Sequence, residues 1–322
     1  MRISRVYLLL GFTLGLLAAC APAARGPDLP PTPPVRPPNV PLLEGSLKNQ
    51  VTRLEKSLPR AQTEGFVVPS AEELAAFAAI PGLLNPDHID DALAAASSHE
   101  YELFWYTDKA DEGAASYLLR EADPSSRGWG LYVFRTVTSS DIIVEAPHPI
   151  SDADTPSVAV DVFRALGARA LLIAGAHRDA NRNGSADAAH EPATVFQSIH
   201  TAELQRSIDS RGSGVVLQIH GFGSSSHPGY PDVIVSYEHG KGISPADILQ
   251  GESLQSAILK ALEKQHVEAG TCSGGQWRDL CGATNIQAST AAKGIFIHIE
   301  LDDNIRQQDR RVLAALESVF SH

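Results

Sequence analysis

The sequence predicts an α/β fold, a mixed and mainly parallel sheet with helices on both faces. Three observations predict it. Beyond residue 141, apolar runs of strand length alternate with segments of helical spacing. Those runs are apolar throughout rather than at every second residue, as strands covered on both faces are. Several of them end on a titratable residue, where open α/β sheets carry their chemistry.

The elements follow in chain order. Arg2 and Arg5 precede an apolar run over 6–17, then Ala18, Ala19 and Cys20. This is a secretory signal over 1–19, and Leu17-Ala18-Ala19-Cys20 resembles the lipobox of bacterial lipoproteins. Cys20 is then the lipidated residue, and Ala21, where an aspartate would retain the protein at the inner membrane, favours the outer membrane. Residues 20–45 are rich in proline, for example Pro30-Pro31-Thr32-Pro33-Pro34, and predict an extended, solvated tether. Residues 46–140 form an N-terminal region with helices over 47–58 and 70–79, the second opened by the capping box Ser70 and Glu73. Strands are expected over 101–106 and 129–135.

Residues 141–322 form the main domain. Strands are expected over 142–144, 170–173, 215–219, 233–237 and 295–299, and helices over 157–166, 194–210, 245–265 and 307–320. Cys272 and Cys281 lie nine residues apart in an exported chain, which predicts a local disulfide.

The 322 residues carry a net charge of −12 at pH 7. Such a balance excludes a nucleic-acid partner, because no excess of cations is present to neutralise phosphates. Twelve histidines accompany a single methionine, and a few of them stand where strands end: His148, His177 and His220, with Glu300 in the same situation. A histidine and a carboxylate on one loop, joined by a histidine from a distant strand, give the three-ligand set of a catalytic zinc site. His148 with Asp152 or Asp154, and His220, fit that pattern. Glu300 would face the site as the base that takes a proton from water. A lone strand-end histidine is otherwise a hydrogen-bonded loop residue, and no Gly-x-Ser-x-Gly elbow or phosphate-loop lysine offers another chemistry.

The order strand, His148, loop carboxylate, helix, then His220, then Glu300 within Ile297-His298-Ile299-Glu300-Leu301 resembles the zinc carboxypeptidase and N-formylglutamate amidohydrolase superfamily, in particular its poly-γ-glutamate hydrolase branch. The resemblance covers about residues 141–320 and implies a phosphorylase/hydrolase-like α/β fold, a Zn2+ cofactor, and cleavage of an amide or peptide bond near a carboxylate. It maps Asp152 onto the metal-binding glutamate of the family, although the carboxylate here is an aspartate, one residue nearer His148, and the family's glycine run is absent; Asp154 stays as the alternative. It also implies that Arg178 holds the substrate carboxylate or polarises the scissile carbonyl, a role that suits a guanidinium fork. His177, Asn181 and Arg182 are its companions, and Arg306 is a further substrate contact.

Two readings compete within this stretch. Asp179, Asn181, Asn183, Gly184 and Asp187 match the first nine positions of a calcium loop, but His190 stands where the closing glutamate belongs. Asp187 and His190 can instead face the zinc site as a carboxylate–histidine pair. The sequence therefore predicts a zinc-dependent hydrolase in the bacterial envelope, acting on a small peptide- or amide-type substrate and meeting the membrane through its N-terminal lipid. The alternative is a non-catalytic envelope lipoprotein that binds a metal or other ligand.

Overall fold

The computed structural model describes residues 34–111, 114–122, 127–272, 276–291, 294–307 and 310–320. The signal segment and Cys20 lie outside them.

Ten strands form one sheet in the order β1-β2-β3-β4-β6-β5-β7-β10-β8-β9. They are β1 Leu42–Gly45, β2 Tyr101–Asp108, β3 Ala115–Glu121, β4 Leu131–Arg135, β5 Ile142–Ala146, β6 Ala170–Ile173, β7 Val215–Phe222, β8 Val233–Glu238, β9 Ala269–Gly270 and β10 Ile295–Asp302. The central four, β6, β5, β7 and β10, are parallel to one another, and antiparallel pairs flank them: β2, β3 and β4 on one side, β8 on the other. The expected mixed, largely parallel α/β sheet is therefore present.

The helices are α1 Leu47–Ser57, α2 Ala71–Leu83, α3 Ile89–Ser98, α4 Thr155–Ala165, α5 Val195–Arg211, α6 Pro245–Lys264, α7 Ile286–Thr290, α8 Asp303–Arg306 and α9 Arg310–Phe320. The capping box of α2 forms as expected, with the Glu73 amide donating to Ser70 and the Ser70 amide to Glu73. The helix runs beyond residue 79 to Leu83, with Pro81 inside its last turn.

Two expected boundaries move. β1 pairs with β2, so the chain expected to be a tether through residue 45 joins the sheet at Leu42. Residues 46–140 are not a separate body either, since β4 pairs with β6 and the sheet runs through the boundary at 140.

Strand alternation divides the sheet into two cores. Val144, Leu217 and Ile297 face α1, α4, α6 and α9. Ile143, Val216 and Phe296 face α2, α3, α5 and α7. Towards the carboxyl ends of the central strands the second face turns polar. By the same period of two it carries Glu145 on β5, Gln218 and His220 on β7, and His298 and Glu300 on β10. These residues are also neighbours across the ladder: Glu145 pairs with Gln218, Gln218 with His298, and His220 with Glu300.

Candidate metal centre

His148 and Asp152 lie on the loop between β5 and α4. A turn folds that loop back, with the Asp152 amide donating to the His148 carbonyl at 3.0 Å and the Thr155 hydroxyl to the Asp152 carbonyl at 2.7 Å. His220 stands within β7, which runs three residues further than the sequence implied. All three side chains are buried, at 1%, 8% and 4% exposure.

Both histidines turn the same nitrogen inward. Nδ1 of His148 lies 3.3 Å from Oδ2 of Asp152, and Nδ1 of His220 lies 3.2 Å from the same oxygen. The outer nitrogens are held by other partners. Nε2 of His148 meets Oδ1 of Asp187 at 2.8 Å, and Nε2 of His220 meets Oε1 of Gln218 at 2.9 Å. Asp154, the alternative carboxylate, is not in this group; it precedes α4 with a positive φ of 67°.

Zinc fits this set. Ligand bonds of about 2.0–2.1 Å in a tetrahedron separate neighbouring ligand atoms by roughly 3.3 Å, close to the spacing found here. Second-shell acceptors on the outer nitrogens are also what metal-binding histidines show. Two other clusters of metal-ligating type occur among the described residues: His148 with Asp187 and His190, and His220 with His298 and Glu300. In the first, Asp187 is already committed. Its Oδ1 takes His148 and the Ala189 amide, and its Oδ2 takes Arg178 at 3.0 Å and His190 at 3.0 Å. Asp187 and His190 thus support the centre from outside it, with Nε2 of His190 tied to Thr284 at 3.1 Å.

The electrostatics follow from burial and pairing. Burial alone would drive His148 neutral, but hydrogen bonds and charge from Asp152 and Asp187 outweigh it and push its pKa up to about 9. Asp152 and Asp187, despite burial, are held well below the usual carboxylate range by those histidine bonds. Burial lowers His220, and lowers His298 further with His220 beside it. Burial, with the Asp152 charge nearby, pushes Glu300 up to about 8. Its Oε2 is buried with no hydrogen-bond partner, while its Oε1 lies 3.7 Å from Nε2 of His298.

Arg306 reaches back across β7. Its Nη2 donates to the Phe222 carbonyl at 3.1 Å, while Nε and Nη1 are buried and unpartnered. Residue 221 must be glycine for this, since a Cβ there would stand 1.8 Å from Nη1. A groove of about 1380 Å³ lies beside Asp154, Ser157, Leu301 and Arg306, and none of the three inner histidines lines it.

The remaining expected substrate contacts are not gathered here. Asn181 is buried and closes on backbone, donating to the Phe66 carbonyl at 2.8 Å and accepting from its amide at 3.2 Å. Arg182 is exposed and pairs with Glu64 at 3.2 Å. Nδ1 of His177 accepts from the Asp179 amide at 3.0 Å. In the stretch that matches a calcium loop, Asn181 serves Phe66, Asn183 accepts from the Ser185 amide, and Asp187 serves the histidines.

Two residues of the centre escaped the sequence reading. His298 lies against His220 with ring centroids 4.4 Å apart; its place two residues before Glu300 on a strand was the available signal. Gln218 stands two residues before His220 in the same way. Cys272 and Cys281 are joined in a disulfide, and the segment that follows it caps the site through Thr284 and Asn285.

No family model and no curated protein matches the chain. Among solved structures it is similar to a bacteriophage poly-gamma-glutamate hydrolase, with 13% identity over 57% of this chain and 83% of that one and a TM-score of 0.38. It is similar to N-formylglutamate amidohydrolase from Ralstonia eutropha JMP134, with 11% identity over 57% and 92% and a TM-score of 0.38. A metallo-carboxypeptidase from Burkholderia cenocepacia is similar at 14% identity over 72% and 67%, with a TM-score of 0.34.

Proposed function

We propose that the chain is a zinc-dependent hydrolase that cleaves an amide or peptide bond near a carboxylate, anchored to the bacterial envelope by a lipid at Cys20. One observation supports this reading above the rest: two histidines present Nδ1 to one carboxylate oxygen at 3.2–3.3 Å while separate partners hold their Nε2 atoms. His148, Asp152 and His220 would hold the metal. When bound, zinc supplies a Lewis acid that polarises a carbonyl, makes water acidic near neutral pH, and favours the ionised form of nearby Glu300.

Glu300 accepts the proton of the attacking water at Oε2, the oxygen that no protein group occupies, and later returns it to the leaving nitrogen. Burial keeps its pKa within reach of neutral pH, which suits both steps. Arg306 offers two unpartnered nitrogens to an anionic part of the substrate. Arg178, partly exposed and fixed through Nη2 to Asp187, offers the rest of its fork. A chain of charge −12 repels polyanions at long range, so a short substrate with one carboxylate suits it better than a polyanionic polymer.

The test is hydrolysis of N-acyl amino acids and short peptides by the purified, zinc-loaded protein. Glu300→Gln should lower kcat by about 10²-fold or more while zinc stoichiometry stays unchanged. Full activity in that variant would overturn the assigned base. Zinc binding without hydrolysis of any such substrate would favour the non-catalytic, metal-binding alternative.

A further inference from the structure

Arg178 comes from the loop after β6, which carries none of the three candidate ligands. Two contacts tie it to them. Its backbone N–H donates to Oγ of Ser151 at 3.4 Å, on the loop that holds His148 and Asp152. Its Nη2 donates to Oδ2 of Asp187 at 3.0 Å, while the other oxygen of Asp187 meets Nε2 of His148 at 2.8 Å. One carboxylate therefore holds the guanidinium with one oxygen and the imidazole with the other.

The place of Asp187 is itself fixed from several sides. Its amide donates to the Gly184 carbonyl at 3.1 Å, and its carbonyl accepts from the amides of His190 at 3.0 Å and Glu191 at 2.8 Å. Oδ1 also accepts from the Ala189 amide at 3.2 Å, and Oδ2 meets Nδ1 of His190 at 3.0 Å. The Ala189 carbonyl accepts from the Ile286 amide at 2.8 Å, which docks this turn against α7. The Asp187 side chain is 16% exposed and that of Arg178 38%, enough to leave part of the guanidinium open to a ligand.

We infer that Asp187 is a positioning residue that sets the distance between Arg178 and His148. It thereby selects substrates whose carboxylate lies one particular distance from the scissile carbonyl. This rests on the proposed hydrolase for its purpose, though not for its geometry. An arginine held at both its backbone and its fork cannot follow a carboxylate that is displaced. A substrate one methylene longer or shorter then loses either the guanidinium or the reacting position. A neutral amide in place of the carboxylate loses the charge-assisted bonds.

The experiment compares kcat/KM, with zinc in excess, for N-acetylglycine, N-acetyl-β-alanine, N-acetyl-γ-aminobutyrate and the three matching carboxamides. The wild-type chain should prefer one length, and the acid over its amide, each by about tenfold or more. Asp187→Asn keeps the shape and removes the charge. It should bring both preferences close to one and weaken zinc binding about 10- to 100-fold in chelator competition. Arg178→Gln should remove the preference for the acid without weakening zinc binding. A general loosening would slow all six substrates alike. Independently of catalysis, phenylglyoxal modification of Arg178, followed by peptide mass spectrometry, should quicken several-fold in Asp187→Asn, with Arg182 unchanged. An Asp187→Asn chain that keeps both preferences, or keeps the wild-type reactivity of Arg178, overturns the inference. Should that variant not fold, Asp187→Glu keeps the charge and moves it by one methylene; a changed length preference supports the inference and an unchanged one overturns it. If the wild-type chain cleaves none of the six, the hydrolase reading fails for short acids, and the reactivity of Arg178 alone decides the positioning.

Discussion

Zinc binding should be strongly dependent on pH, with His148 as the cause. In the metal-free chain its imidazole is paired with Asp152 at Nδ1 and with Asp187 at Nε2, and its pKa is pushed up to about 9. A metal at Nδ1 needs that proton removed while Nε2 keeps its own for Asp187. At pH 7, two pH units lower, only about one chain in a hundred has lost it, a cost of about 3 kcal/mol in zinc affinity. His220 contributes no slope, because burial has already lowered its pKa. Affinity measured by chelator competition should therefore rise at least tenfold per pH unit between 6.5 and 8. Calorimetry at pH 7 in buffers of differing ionisation enthalpy should count at least one proton released, with a further contribution from Glu300, whose pKa of about 8 falls when a cation binds beside it. The apo protein should respond in the opposite sense. It binds this proton more tightly than the unfolded chain does, so the stability from His148 is complete below about 6.5 and is lost as pH rises through about 9. Affinity that is flat from pH 6.5 to 8, with no proton released, would refute the assignment of Nδ1 of His148 as a ligand.

Two further predictions concern the body of the protein. Glu203→Leu removes the partner of buried Arg169, held at 2.6 Å, and should cost about 3–5 kcal/mol in denaturant unfolding; a loss under 1 kcal/mol would contradict this. Burial pushes Glu121 up to about 7, against the amides of Trp129 and Gly130 that favour its charge. The folded chain thus holds a proton that the unfolded chain releases from about 4.5, and the stability it contributes is lost between about 4.5 and 7. Melting temperatures of Glu121→Gln should fall less than those of the wild type across that range, and parallel curves would contradict the prediction.

The central part of the fold was legible because its strands are apolar on both faces and its helices begin and end on clear signals. Thr194 and Ser244 cap α5 and α6 by accepting from the amides three residues on, as their positions suggest. The losses lie where the pattern is weak. β1 follows a proline run, and β3 presents only Tyr117-Leu118-Leu119 between polar residues before pairing with β2 and β4. α3, Ile-Asp-Asp-Ala-Leu-Ala-Ala-Ala-Ser-Ser, has too few large apolar residues to declare a face, yet Ile89, Ala92 and Ala96 are buried.

The site divides along similar lines. His148, Asp152 and His220, which the structure brings together, and Glu300 beside His220 stood out because they lie at or just beyond apolar runs. Asn181 and Arg182 were expected beside them because a polar loop residue looks the same in sequence whether it faces a substrate, a backbone carbonyl or a glutamate across the chain. Gln218 and Asn285 were not seen. Gln218 offered only its place two residues before His220 on one strand, and Asn285, at a helix start, carries no signal of its own until pairing across 65–67 residues of sequence brings it to His220 and Gln218.

The proposed centre stands or falls with its metal. Elemental analysis of the purified chain, loaded with zinc and then dialysed, should find one zinc per wild-type chain and essentially none in Asp152→Ala or His220→Ala. A wild-type chain without zinc, or variants that keep it, would contradict the assignment of His148, Asp152 and His220 as its ligands.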